Sequence, residues 1–123
     1  IMNYNNGGEL DTAERDIEGQ SVTPASLTIS EDPLYDYGVT AIGSTATHIF
    51  EVSNTGGFSA SMVTDSGALA APFRYLGGAY PGTGGDCNLT IAPGATCDVV
   101  IEFAPTVATI SNSQISLNYK KIP

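Results

Sequence analysis

The chain has no tryptophan, one histidine, two cysteines and only four basic residues in 123. Arg15, Arg74, Lys120 and Lys121 stand against thirteen acidic residues, for a net charge of −9. So few cations cannot displace the counterions of a phosphate backbone, which excludes nucleic acid as a partner. The same balance opposes adsorption to an anionic membrane. No apolar run is long enough to span a bilayer, so membrane insertion is not expected. No segment has the make-up of a signal peptide, and a chain that opens on Ile1 reads as a mature product or an excised piece of a larger one. Structural zinc needs four ligands, and Cys87, Cys97 and His48 are the only cysteines and histidine.

What is present suits strands. Apolar residues make up 41% of the chain, a globular share, while charged residues reach only 14%. Thr, Ser, Asn and Gly take their place. The length fits one domain with one core. In Thr96–Phe103, Cys97, Val99, Ile101 and Phe103 share one face, and Thr96, Asp98, Val100 and Glu102 the other, as in a half-buried strand. Ala46–Asn54 alternates likewise, with His48, Phe50 and Val52 on one side. Ile115, Leu117 and Tyr119 form a third inward row, and Ser26–Ser30, Phe58–Thr64 and Phe73–Leu76 are weaker strands. Between them lie Asp32-Pro33, Asn54-Thr55-Gly56-Gly57, Gly77-Gly78, Pro81-Gly82, Pro93-Gly94 and Pro105. Short strands punctuated at this spacing predict an all-β sandwich. Asp11–Gly19 alternates about as well as it spirals and is read as a strand. Asn54 is expected to bond its own backbone before Gly56 and Gly57, at positive φ, turn the chain.

Cys87 and Cys97 are ten residues apart, a spacing that suits a bridge between a strand and the segment leading into it. Such a bridge would contribute about 3 kcal/mol in the chain-entropy account and implies an extracytoplasmic location: cell surface, secreted or periplasmic. The alternative is a pair of buried, reduced thiols.

From Val22 to Tyr119 the chain resembles the bacterial ASH-type, Hydin-like immunoglobulin repeats grouped with choice-of-anchor D surface proteins. Thr23-Pro24-Ala25-Ser26-Leu27 resembles their entry strand, and Tyr37-Gly38-Val39-Thr40-Ala41-Ile42-Gly43-Ser44 the step that follows. Phe50-Glu51-Val52-Ser53-Asn54-Thr55-Gly56 resembles the strand ending in N-T-G, and Cys87 through Pro105 the block that carries both cysteines. The resemblance implies an immunoglobulin-like sandwich of about seven strands over residues 22–123.

Ile1-Met2-Asn3-Tyr4 also echoes Ser116-Leu117-Asn118-Tyr119. In the family such a strand is followed by an Asn-Gly hairpin and a last strand. Here that sequel follows the first copy, through Asn6-Gly7 and Glu14–Gly19, and is missing after the second. Residues 1–21 therefore read as a hairpin from the end of a preceding repeat, and the chain as part of a tandem array. A sandwich without its last strand exposes an edge, which residues 1–20 would fill in the same molecule or in a strand-exchanged neighbour. The alternative is a packed terminal hairpin or a disordered tail.

Candidate chemistry is sparse. Asp65-Ser66-Gly67-Ala68 resembles the active-site turn of dimeric aspartic proteases, with Asp11-Thr12-Ala13 a looser match. Asp-Ser-Gly is equally ordinary turn chemistry. Gly57-Phe58-Ser59-Ala60-Ser61 lacks the closing glycine of a nucleophile elbow, and no glycine-rich loop carries a phosphate-binding lysine. Glu31, Asp32 and Asp36 offer oxygens to calcium, though without EF-hand spacing, and a solvated acidic face is the plainer reading. The Leu76–Asp86 loop reads as long and flexible, with Tyr80, Thr83 and Asp86 as contacts for a glycan or protein ligand. Against that stands a connection simply tied down by Cys87. No catalytic residue and no obligatory cofactor is expected. The expectation is a non-catalytic structural or adhesive module of a bacterial surface or secreted protein, partnered by neighbouring repeats and a surface protein or glycan, with ligand recognition by the 76–86 loop as the alternative.

Overall fold

The computed structural model describes residues 10–32 and 34–123. Among these residues the regular structure is antiparallel β, with no helix. Six strands form: β1 (Leu27–Ile29), β2 (Ala46–Asn54), β3 (Ser61–Asp65), β4 (Phe73–Tyr75), β5 (Thr96–Phe103) and β6 (Leu117–Lys120). They make a four-stranded sheet in the order β1-β2-β5-β4 and a two-stranded sheet of β3 and β6.

The two longest strands are the two with the clearest alternation, and they pair with each other. Their register sets His48 opposite Ile101, Phe50 opposite Val99 and Val52 opposite Cys97, so both inward rows meet on one face. Val52, Val99 and Ile101 from this sheet join Ala60 and Val63 from the β3 side in one buried cluster, against which Leu117 and Tyr119 of β6 pack. Both sheets thus close on a shared core. The weaker strand expectations at 26–30, 58–64 and 73–76 are realised as the shorter β1, β3 and β4. β3 is irregular: its register against β6 shifts between Ser61 and Thr64, and Met62 there has φ of 53°. This is a bulge.

Three expectations need correction. β5 is not half-buried, because Val100 and Glu102 on its supposed outer face are also buried. Val100 lies beneath the 76–86 segment, whose Pro81 carbonyl accepts its N–H at 2.9 Å. Glu102 faces Arg74 of the neighbouring β4, with Arg74 Nε 2.7 Å from its Oε1. Second, no strand forms over Asp11–Gly19. Residues 10–24 are exposed and carry no regular structure, and the remainder of the expected hairpin, residues 1–9, lies outside the described residues. Anchored chain begins at Thr23, whose carbonyl and hydroxyl oxygens both accept from the Gly57 N–H.

Third, Gly56 and Gly57 do not adopt positive φ. Close approach is what requires glycine at position 56, since a β-carbon there would collide with the Pro24 carbonyl and the Ala25 backbone. Asn54 does bond ahead of the turn, accepting the Gly56 N–H at 3.0 Å. It also accepts from Ser26 N–H and donates to the carbonyls of Phe58 and Ile91. All four hydrogen-bonding positions of a side chain that is 1% exposed are therefore filled.

Candidate functional site

Cys87 and Cys97 form a disulfide with their α-carbons 4.9 Å apart, and both residues are buried. Cys97 is held by its place in β5. Cys87 is brought to it by the 76–86 segment, which runs beside β5 along the same edge as β4. Leu76 N–H donates to Val100, Val100 N–H donates to Pro81, and the N–H groups of Asp86 and Cys87 donate to Asp98. The segment is a connection fastened to the sheet, the plainer of the two readings that its sequence allowed. Gly82 shows how closely: at φ of 91° it lies so near β5 that a β-carbon would strike the Val100 carbonyl.

The residues singled out there have internal partners. Tyr80 is partly buried with its ring edge-on to Tyr75, at 5.7 Å between centroids, and its hydroxyl reaches the Asn88 carbonyl at 3.4 Å. Burial raises its phenol pKa. Thr83 donates its N–H to Leu76, and Asp86 accepts the Asp98 N–H on its carboxylate at 2.6 Å. None of the three lines the groove described below.

The acidic group is likewise dispersed. Glu31 Oε2 lies 2.9 Å from His48 Nε2, Asp36 accepts the N–H of Gly38 at 2.8 Å, and Asp32 is exposed. Among the described residues no three His, Cys, Asp or Glu side chains gather as a metal site would need. Asp65, at the end of β3, accepts the Tyr75 hydroxyl at 3.0 Å, whereas Asp11 lies in the exposed segment before Thr23. Burial, followed by the charge of Asp65, holds the Tyr75 phenol protonated well above its usual range.

A broad concave surface is one that strand patterns did not reveal. A groove of about 1290 Å³ lies open beside the four-stranded sheet. Its apolar lining includes Leu27 and Ile29 of β1, Phe50 of β2, and Ile101 and Phe103 of β5, with Ile115 from the chain entering β6. The segments 34–42 and 105–115 form its flanks. Aromatic packing organises one side. Tyr35 stacks on His48 at 3.8 Å and meets Tyr37 and Phe50 edge-on, while Phe73 stacks on Phe103 at 4.8 Å. Tyr37 donates to the Ile101 carbonyl at 2.9 Å, and burial pushes its phenol pKa well above the usual range. Around the groove, Leu34, Val39, Val107 and Ile110 are exposed, more apolar surface than a solvated flank requires. The alternation Tyr35-Asp36-Tyr37 was the available signal for the aromatic side. The rest depends on long-range placement of irregular chain.

Among the described residues no helix is long and apolar enough to cross a membrane. Neither family models nor curated proteins nor solved structures give a match to this chain.

Proposed function

We propose that the chain is a non-catalytic immunoglobulin-like module of a bacterial surface or secreted repeat protein, whose work is to hold shape and carry adhesive contacts. The observation that carries this reading is strand order. A constant-type immunoglobulin sandwich sets strands A, B, E and D in one sheet and C, F and G in the other. β1-β2-β5-β4 reproduces the first sheet in chain order, and β3 with β6 reproduces C and F. The disulfide supports an oxidising, extracytoplasmic setting. The internal bonding of Tyr80, Thr83 and Asp86 favours a scaffold over a reading loop, and the Tyr75 hydroxyl on Asp65 is unlike the paired carboxylates of an aspartic protease.

A glycan array and a pepstatin-controlled cleavage panel test the reading, with wild type and Tyr80→Ala side by side. No Tyr80-dependent glycan signal and no pepstatin-sensitive cleavage are expected. A glycan signal lost in Tyr80→Ala would replace the scaffold with a recognition module, and pepstatin-sensitive cleavage would replace it with an enzyme.

A further inference from the structure

Asn88-Leu89-Thr90 is the only Asn-x-Ser/Thr triplet in the chain, the acceptor pattern for N-linked glycans. Such a triplet also arises by chance, so its surroundings decide whether it can be used. All three residues are exposed, and the chain bends at Leu89, between the asparagine and the threonine. The triplet is held from both sides, by the disulfide at Cys87 and by paired backbone bonds between Ile91 and Ala60. Buried Asn54 has its carboxamide taken up by four bonds within the fold. The carboxamide of Asn88 has no partner among the described residues, and only its backbone carbonyl is engaged, by the Tyr80 hydroxyl. A sugar on Asn88 therefore displaces nothing from the core.

A second side chain points the same way. Bacterial oligosaccharyltransferases, which act outside the cytoplasm, ask for an acidic residue two places before the asparagine, and Asp86 stands there. Asp86 is exposed, and one of its carboxylate oxygens, Oδ1, accepts the Asp98 N–H. Its Oδ2 has no partner among the described residues. The bridge at Cys87, next to Asn88, belongs to the same oxidising compartment.

We propose that Asn88 is an acceptor for an N-linked glycan, with Thr90 and Asp86 as the side chains by which a transferase recognises it. The co-substrate is a polyprenyl-diphosphate-linked oligosaccharide. Asn88 Nδ2 attacks the anomeric carbon, and the bond from that carbon to the diphosphate oxygen breaks. Polyprenyl diphosphate leaves with the electron pair, one amide proton passes to a base of the transferase, and a carbon–nitrogen bond joins sugar to protein. The glycan then stands over Leu89, which is 63% exposed beside it. This rests on the extracytoplasmic setting proposed above and is independent of strand order.

Export of the full chain to the periplasm of bacteria that carry such a transferase and its lipid-linked glycan tests it. Intact mass should rise by one glycan, and peptide mapping should place the addition on Asn88. The added mass should vanish in Asn88→Gln and Thr90→Ala, persist in Thr90→Ser, and be largely lost in Asp86→Ala, with circular dichroism unchanged. Thiol titration of the same material separates the two readings. An oxidised chain at bare mass, beside a control acceptor that is modified in the same cells, would overturn the inference and leave the setting in place. Glycan that survives in Asn88→Gln would overturn it equally, and free Cys87 and Cys97 would remove the setting with it.

Discussion

Asn54 is one polar side chain on which three stretches of chain converge. It bonds Ser26 ahead of β1, Gly56 and Phe58 in the following turn, and Ile91 in the segment bridged to Ala60. Asn54→Ala removes all four bonds and leaves buried backbone groups without partners. At about 1 kcal/mol for each net hydrogen bond, the expected loss is about 3 kcal/mol or more, read as a shift in urea midpoint. The sequence marked Asn54 as a turn former through its neighbours Gly56 and Gly57. Its role as a tie among distant segments was hidden, because Ser26 and Ile91 are remote in the chain.

Tyrosines set the alkaline limit. Tyr37, Tyr75 and Tyr80 have raised phenol pKa values, chiefly from burial. Above about pH 10 an unfolded phenol ionises while these stay protonated, so the folded state then holds more protons. Their stabilisation is complete below that pH and declines as pH rises above it. Urea midpoints taken from pH 8 to 11 should fall at the alkaline end, and Tyr75→Phe should flatten part of that fall. A flat profile in wild type would contradict the burial of these hydroxyls.

At the scale of the element, strands with strict alternation were legible and connections were not. β2 and β5 appear where the pattern of apolar residues placed them, although only β2 keeps its second face exposed. The 76–86 segment was ambiguous because glycine marks both a flexible loop and a backbone that must lie close to another. Gly82→Ala separates those meanings. The new methyl has no room above Val100, and an unforced φ is denied to it. The expected cost is about 2 kcal/mol, with faster amide exchange over 77–86. Were the loop free, neither would change. Reduction of Cys87–Cys97 should cost about 3 kcal/mol, checked by melts with and without reductant. Asp11–Gly19 forms no strand, because its alternation sets Asp11 and Arg15 on the same face as Ala13 and Ile17 and leaves little apolar surface to bury.

Across the whole molecule, the sequence disclosed an all-β chain with one bridge, but not the groove. That surface comes from irregular segments, 34–42 and 105–115, whose hydrophobes carry no periodic signal. Val39 and Ile110 on its flanks are almost fully exposed, at 105% and 90%. Replacing both with Asp should change stability by no more than about 0.5 kcal/mol at each site. Binding of the dye ANS should drop clearly, because the apolar rim is interrupted. A large loss of stability would show that these side chains pack in solution.

The four-stranded sheet ends on both sides in strands of only three residues, β1 and β4. Margins so brief offer little template for accretion from the side. Molecules can therefore stand close together at high concentration without their sheets fusing side to side.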